Sequence, residues 1–180
     1  MEDGVIYSHS VDAFVQRVLL RHGLLSLELD KQLKALGFDA SRPAEVKLNV
    51  WVAAVRLVAK HAQPTANEAD ALEWVGREMV RGYADGLVGK SLFILLRMMG
   101  PRRALLRIAA NYKTADSVTS VTPVERSASA IDLEFNSDFG VPTYVKGVLL
   151  ESLLLLRAQK PEVTFSALPS GAMLFSTSWA

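Results

Sequence analysis

The sequence contains no cysteine. This absence excludes disulfide bonds, thiolate nucleophiles, iron–sulfur clusters and the cysteine-based zinc sites. Histidine is also scarce, since His9, His22 and His61 are the only residues of this type. They show neither the HExxH spacing of a zinc-binding helix nor a neighbouring set of carboxylate ligands, so no metal site is predicted.

An excess of charge of one sign and a long apolar run are missing too. The net charge is +1, so no overall attraction to nucleic acid or to an anionic membrane is expected. Half of the 180 residues are hydrophobic. Even so, the stretch from Gly147 to Leu156 is interrupted by Glu151 and falls short of the roughly 18 residues of a membrane span. The first residues are acidic and then polar, unlike a secretory signal. We therefore expect a cytoplasmic single domain over residues 1–180, without membrane insertion.

The spacing of apolar residues predicts helices over residues 1–114. Apolar side chains recur there at three- and four-residue intervals, which gives a helix one buried face. Pro43 suits the first turn of a helix that ends near His61. The segment from Thr65 to Glu68 has the pattern of a capping box, which predicts the start of the next helix.

Glycines interrupt two of these predicted helices. Gly76 and Gly82 lie in the helix that follows the capping box, where each costs about 1 kcal/mol relative to alanine. We expect close packing against a neighbouring element to offset this cost. Gly100 followed by Pro101 predicts the end of a later helix and the start of another.

The apolar period changes to two residues after Thr114. The alternation from Ala130 to Phe135 predicts a half-buried strand. Its expected partner, Ser117 to Val124, contains Pro123 and is therefore expected at the edge of the sheet or at a bulge.

A helix over about residues 141–159 separates this pair from a hairpin with strands at 162–167 and 172–179. The order predicts a ββαββ unit over residues 115–180. We therefore predict an α+β fold in which an N-terminal helical bundle packs on a four-stranded antiparallel sheet.

No segment has the pattern of a catalytic site. Residues Ala84 to Ser91 match a permissive phosphate-binding loop, but a predicted helix precedes them where such a loop requires a strand. We interpret them as a turn between helices that breaks at Gly86 or Gly89. Asp132 and Glu134 share one strand face, where they could present paired carboxylates to a substrate or a cation, but such a pair is more typical of the solvated side of an antiparallel sheet. A nucleophile elbow and a Ser/His/Asp arrangement are also missing, so no enzyme activity is predicted.

Arginines are concentrated in the middle of the chain. Arg102 and Arg103 lie in the first turn of a predicted helix, where the helix dipole is already positive. Either carboxylates of the protein, with Glu73, Glu78 and Asp85 as candidates, or an external phosphate or acidic partner should compensate them. The candidate residues for binding a partner or an anion are Arg77, Arg81, Arg97, Arg102, Arg103 and Arg107.

The predicted helix from Tyr144 to Arg157 is apolar on nearly every side, which is typical of a fully buried helix. Three arrangements would bury it: packing between sheet and helices within one subunit, a homodimer contact, or the wall of an apolar ligand pocket. Gly147 permits close approach to a neighbour in all three. The candidate residues for an apolar pocket or dimer face are Tyr144, Gly147, Val148, Leu150 and Leu154.

A set of residues, most of them glycines and basic residues, carries a family resemblance. It comprises Val75, Gly76, Arg77, Gly82, Tyr83, Gly89, Lys90, Arg97, Gly100, Pro101, Arg102, Arg103, Leu106, Arg107, Lys113 and Thr114. Together with Trp51 and a last strand that ends at Trp179, this set resembles the central signature of a myxobacterial paralogous family of unknown function. The resemblance spans nearly the whole chain and implies that the arginine cluster and the glycines are family features.

More distantly, the ββαββ end, with Gly147 in its helix and Gly171 before its last strand, is similar to a superfamily of ligand-binding and assembly domains. It contains haem nitric-oxide-binding domains, vinyl-reductase-type ligand domains and vesicle-tethering subunits. The resemblance implies a tetrapyrrole, a small hydrophobic molecule or an acyl chain in an apolar pocket, or a dimeric assembly module. The chain lacks the tyrosine-x-serine-x-arginine haem signature, a suitable axial histidine and the vinyl-reductase cysteines, so no cofactor is predicted.

The sequence supports two functional hypotheses. The first is a non-enzymatic signalling or assembly module whose arginines bind an acidic protein partner, with a homodimer as one form. The alternative is a sensor domain that binds a small hydrophobic or anionic ligand in an apolar pocket.

Overall fold

The structure is a computed structural model that describes residues 4–137 and 139–180, apart from the side chains of Leu87, Val88, Asn111 and Lys113. Apart from one short strand pair, the N-terminal part is helical and a four-stranded sheet lies in the C-terminal part, which confirms the predicted α+β class. In chain order the elements are β1 (Val5–Ile6), α1 (Ser8–Phe14) with a π-helical continuation (Val15–Leu20), α2 (Leu27–Ala35), β2 (Val46–Lys47), α3 (Leu48–Ala62), α4 (Glu68–Asp85), α5 (Leu87–Asn111) with a 3₁₀ turn (Tyr112–Thr114), β3 (Val121–Ser127), β4 (Ala130–Phe135), α6 (Pro142–Leu155), β5 (Glu162–Ala167) and β6 (Met173–Ser178).

The C-terminal sheet has the strand order β3-β4-β6-β5 and is antiparallel at every pairing, as predicted. Pro123 lies in the edge strand β3, where its missing N–H leaves no ladder bond unmade. The alternation in β4 buries Ile131, Leu133 and Phe135 in a core shared with α6. β3 begins at Val121 and not at Ser117.

Two predicted helix starts were wrong. Pro43 does not begin α3, because Val46 and Lys47 pair with β1 and the helix starts only at Leu48. The fourth helix is capped by Asn67 and not by Thr65. The Asn67 side-chain oxygen accepts a hydrogen bond from the backbone N–H of Asp70 at 2.9 Å, and asparagine is a stronger N-cap than threonine.

The two predicted helix breaks lie where the sequence indicated. Gly100 adopts φ 78° and ψ 160° and kinks α5, and Pro101 then restarts the helix. Gly86 has an extended conformation between α4 and α5, so the phosphate-loop-like segment follows a helix, as interpreted.

Within residues 4–137 and 139–180, no helix is both long and apolar enough to cross a bilayer.

Helix α6 lies between two hydrophobic cores. One core is formed by helices α1 to α4 and includes Phe14, Trp51 and Val75. The other is formed by the sheet and α6 and includes Leu149 and Leu153. Packing within one subunit is therefore the observed arrangement of this apolar helix, and it explains why apolar residues surround its axis.

Candidate functional site

A cavity of about 760 Å³ lies between the helical core and the sheet core. Small-molecule sites in proteins have volumes of roughly 300–1,000 Å³. The walls come from the N-terminal helix, α4, α5, α6 and β4, so both halves of the fold contribute. Apolar side chains dominate these walls, with Met79, Phe93, Leu96, Phe135, Val145 and Val148 among them.

The position of Arg17 distinguishes it from the other residues that line the cavity. It lies in the π-helical segment Val15–Leu20, and π-helical turns are rare and frequently found at functional sites. Its guanidinium carbon stands 4.4 Å from the centre of the Tyr83 ring, in cation–π geometry. The adjacent Gly82 leaves room for the Arg17 stem, because a Cβ at position 82 would overlap the Arg17 side chain.

The charge of Arg17 is only partly compensated. Partial burial lowers the pKa of its guanidinium, and the neighbouring Tyr83, Asp12 and Tyr144 act in the opposite direction. Asp12 is exposed, and among the residues that the structure describes no carboxylate forms an ion pair with Arg17. A partly desolvated cation therefore borders the apolar cavity.

Two tyrosines of the cavity wall are held in the neutral form. Burial raises the pKa of Tyr112 and of Tyr144, although the charge of Arg17 partly counteracts the shift at Tyr144. The Tyr112 hydroxyl is buried and finds no hydrogen-bond partner among the described residues. Such a group costs about 1–3 kcal/mol.

Several other polar groups around the cavity are hydrogen-bonded within the protein. Asp116 accepts hydrogen bonds from the backbone N–H of Val118 at 2.9 Å and from the Thr119 hydroxyl at 2.6 Å. The Ser10 hydroxyl donates to the carbonyl oxygen of Ala115, and the Ser152 hydroxyl donates to that of Val148. His9 is exposed, and its ring stacks on Tyr7 with a centroid separation of 6.0 Å.

The predicted arginines do not converge on this cavity. Arg77 and Arg81 both donate from Nε to the buried carboxylate of Glu151 at 2.9 Å, and Arg81 also contacts Glu78. These hydrogen bonds raise the pKa of Arg81. Arg97 donates from Nε to the carbonyl oxygen of Leu155 at 2.6 Å.

The remaining arginines lie near the kink of α5. Arg102 forms an ion pair with Glu125 of the edge strand β3. Arg103 and Arg107 are exposed. Protein carboxylates or carbonyl groups therefore bind Arg77, Arg81, Arg97 and Arg102, whereas the partner-binding role of the cluster stays a prediction.

The predicted apolar residues divide between the cavity and its surroundings. Tyr144 and Val148 line the cavity. Gly147 instead brings α6 against the backbone of Glu73 on α4. Leu150 packs against the sheet core, and Leu154 is 39% exposed.

Arg17 and Tyr112 were not among the residues predicted from the sequence. A signal for Arg17 was present, because it stands within the apolar run that contains Phe14, Val15 and Val18.

The expected solvation of Asp132 was wrong: Asp132 is 8% exposed, and its carboxylate accepts a hydrogen bond from Arg126 at 2.7 Å. No group of three or more His, Asp or Glu residues suited to a metal ion occurs within the described part of the chain.

A family model described as "Protein of unknown function (DUF2378)" matches residues 4–180. The chain belongs to this family. No curated protein sequence matches this DUF2378 member. The family match spans nearly the whole chain and the function of the family is unknown, and both points agree with the resemblance found in the sequence.

Solved structures with a similar fold include H-NOX proteins. A variant H-NOX protein from K. algicida, in its unliganded Fe(II) form, is 12% identical with a TM-score of 0.65, and the match covers 97% of each chain. A variant of T. Tengcongensis H-NOX is 16% identical with a TM-score of 0.62 and the same coverage. An oxygen-binding H-NOX domain related to soluble guanylate cyclases, in its oxygen complex, is 16% identical with a TM-score of 0.60, covering 97% of this chain and 95% of that one. This similarity establishes the fold.

The fold raises the question of haem, but the donor set of the DUF2378 chain does not fit a haem iron. Haem iron is held by histidine, thiolate, methionine with histidine, or tyrosinate. Among the described residues that line the cavity, His9 is the only histidine, and it is exposed. Burial raises the pKa of Tyr112 and Tyr144, which disfavours the tyrosinate form that would bind iron. The segment of α5 along the cavity contributes Leu92, Phe93, Leu96 and Ile108, none of which can bind iron.

Proposed function

We propose that this DUF2378 member is a sensor domain that binds a small apolar ligand in the central cavity and acts without catalysis. The observation that carries the proposal is the location of the cavity between two cores. Because its walls come from both cores, a ligand that prefers one packing of the two halves would shift the population towards it. The shared fold with H-NOX proteins supports a sensor role.

A non-enzymatic role agrees with the state of the polar groups. Asp116 is held by its own loop through hydrogen bonds from Val118 and Thr119. Burial raises the pKa of Tyr112 and Tyr144, which further disfavours the phenolate, the form in which a tyrosine acts as a base. The described walls of the cavity therefore supply a concave apolar surface that a ligand can bind.

The test uses decanol as an uncharged apolar probe, with isothermal titration calorimetry as the measurement. We expect one molecule of decanol to bind per chain. Val148→Phe places a ring in the cavity and should weaken binding by about tenfold or more, whereas Leu154→Phe, on the exposed side of the same helix, should leave it unchanged. Absence of decanol binding to the unmodified chain, or equal effects of the two variants, would contradict the proposal.

A second candidate function is the module that binds an acidic protein partner, as a monomer or a homodimer. The exposure of Arg103 beside the kink of α5 supports it. Arg103→Glu should then weaken capture of cellular partners relative to Arg42→Glu, which reverses another exposed arginine far along the chain. If both variants retain the same partners, this second candidate is eliminated.

A further inference from the structure

We infer that the ligand is an amphipathic carboxylate whose charged group binds Arg17 and whose apolar body occupies the central cavity. The inference rests on the proposed function and specifies the chemical class of the ligand. Its basis is the combination of apolar walls with one partly buried cation that borders them.

The guanidinium is positioned for an anion before any ligand binds. Gly82 lets the Arg17 stem lie against α4, and the ring of Tyr83 supports the guanidinium from one side. A guanidinium has five N–H donors, and none is used in a hydrogen bond to another described residue. A carboxylate can accept two of them in parallel, which is the geometry that arginine favours.

The partial burial of Arg17 disfavours its charge in the absence of an anion. Burial is the largest cause that lowers its pKa, and exposed Asp12 does not approach within ion-pair distance. A bound carboxylate would compensate the positive charge of the partly buried Arg17 guanidinium. The preference for an anion over a neutral head group therefore follows from the environment of Arg17.

The apolar walls of the cavity specify the apolar part of the ligand. Phe93 and Leu96 come from α5, and Phe135 and Val145 come from β4 and α6. All four are buried hydrophobic residues. Burial of an apolar chain against them contributes about 25 cal/mol per Å².

The experiment compares decanoate with decanol, which share a chain length and differ in charge at neutral pH. We expect the unmodified protein to bind decanoate more tightly than decanol. Arg17→Gln should weaken decanoate binding by about tenfold to one hundredfold, the effect of losing a hydrogen bond to a charged group, and should affect decanol binding far less, because its hydroxyl carries no charge. Decanol binding thus reports whether the variant remains folded.

The matched control is Arg21→Gln, which removes the same charge four residues later on the surface, where Arg21 pairs with Asp85 at 2.7 Å. Arg21→Gln should change neither the affinity for decanoate nor the affinity for decanol. Equal affinity of the unmodified protein for decanoate and decanol would overturn the inference while leaving the proposed function intact, and so would equal losses in the two arginine variants. Absence of decanol binding to the unmodified protein would contradict the proposed function, and the inference that rests on it would fall with it.

Discussion

The backbone of Tyr144 lies directly against Gly76. The carbonyl oxygen of Tyr144 and the backbone nitrogen of Val148 occupy the space that a side chain at position 76 would need. On the facing helix, Gly147 stands in the same relation to the backbone of Glu73. Because Tyr144 and Val148 also line the cavity, this close contact of α4 and α6 fixes one of its walls.

Gly76→Ala should therefore destabilise the protein by about 1–3 kcal/mol. Alanine favours a helix by about 1 kcal/mol over glycine, but its Cβ would overlap backbone atoms that cannot rotate away. Urea unfolding monitored by circular dichroism measures the difference. Gly86→Ala is the control, since its Cβ would find its nearest neighbour at 3.5 Å, and it should stay within about 0.5 kcal/mol. A neutral Gly76→Ala variant would show that the helices separate easily.

Glu151→Gln should destabilise the protein by about 2–4 kcal/mol in the same assay. The substitution leaves Arg77 and Arg81 facing a neutral group at a side chain that is 7% exposed. The expected loss is below that of a fully buried pair, because the Arg81 side chain is 37% exposed and solvent screens it. Glu125→Gln, at a partly exposed ion pair with Arg102, should cost no more than about 1 kcal/mol. Equal losses would mean that burial of Glu151 has no energetic consequence.

Tyr112→Phe should stabilise the unliganded protein by about 1 kcal/mol, because it removes a buried hydroxyl that has no partner among the described residues. Thr177→Val provides the contrast. The Thr177 hydroxyl is buried but donates to the carbonyl oxygen of Ile131 at 2.7 Å, so its removal should destabilise the protein by about 1 kcal/mol. Thermal unfolding of both variants tests whether Tyr112→Phe raises the stability of the protein and Thr177→Val lowers it. A loss of stability in Tyr112→Phe would indicate that the hydroxyl is hydrogen-bonded.

The fold followed from local patterns, whereas the cavity depended on contacts between distant segments. Alternation in β4 and the Gly100-Pro101 break each act within a few residues, so the sequence sufficed to place them. The start of α3 depended instead on pairing between Ile6 and Val46, which no local pattern reports.

The same limit applies to the candidate site. Tyr144 and Val148 could be chosen because their helix is apolar on all sides. Arg17 acquires its role only where Gly82 and Tyr83 of α4 meet the π-helical segment. Conversely, the sequence predicted Arg77 and Arg81 as binding residues for a partner or an anion, whereas in the fold α6 places Glu151 where both arginines donate hydrogen bonds to it.

Addition of haemin should not produce the sharp Soret band of an axially ligated haem. The cavity offers no thiolate, its two buried phenols have a raised pKa, and His9 is exposed and stacked on Tyr7. Absorption spectroscopy of the purified chain with haemin checks this, and decanol binding by the same sample shows that the cavity is intact. His9→Ala should leave the spectrum unchanged. A sharp Soret band that disappears in His9→Ala would show that this histidine reaches an iron, and the ligand class inferred from Arg17 would then have to include a metalloporphyrin carboxylate.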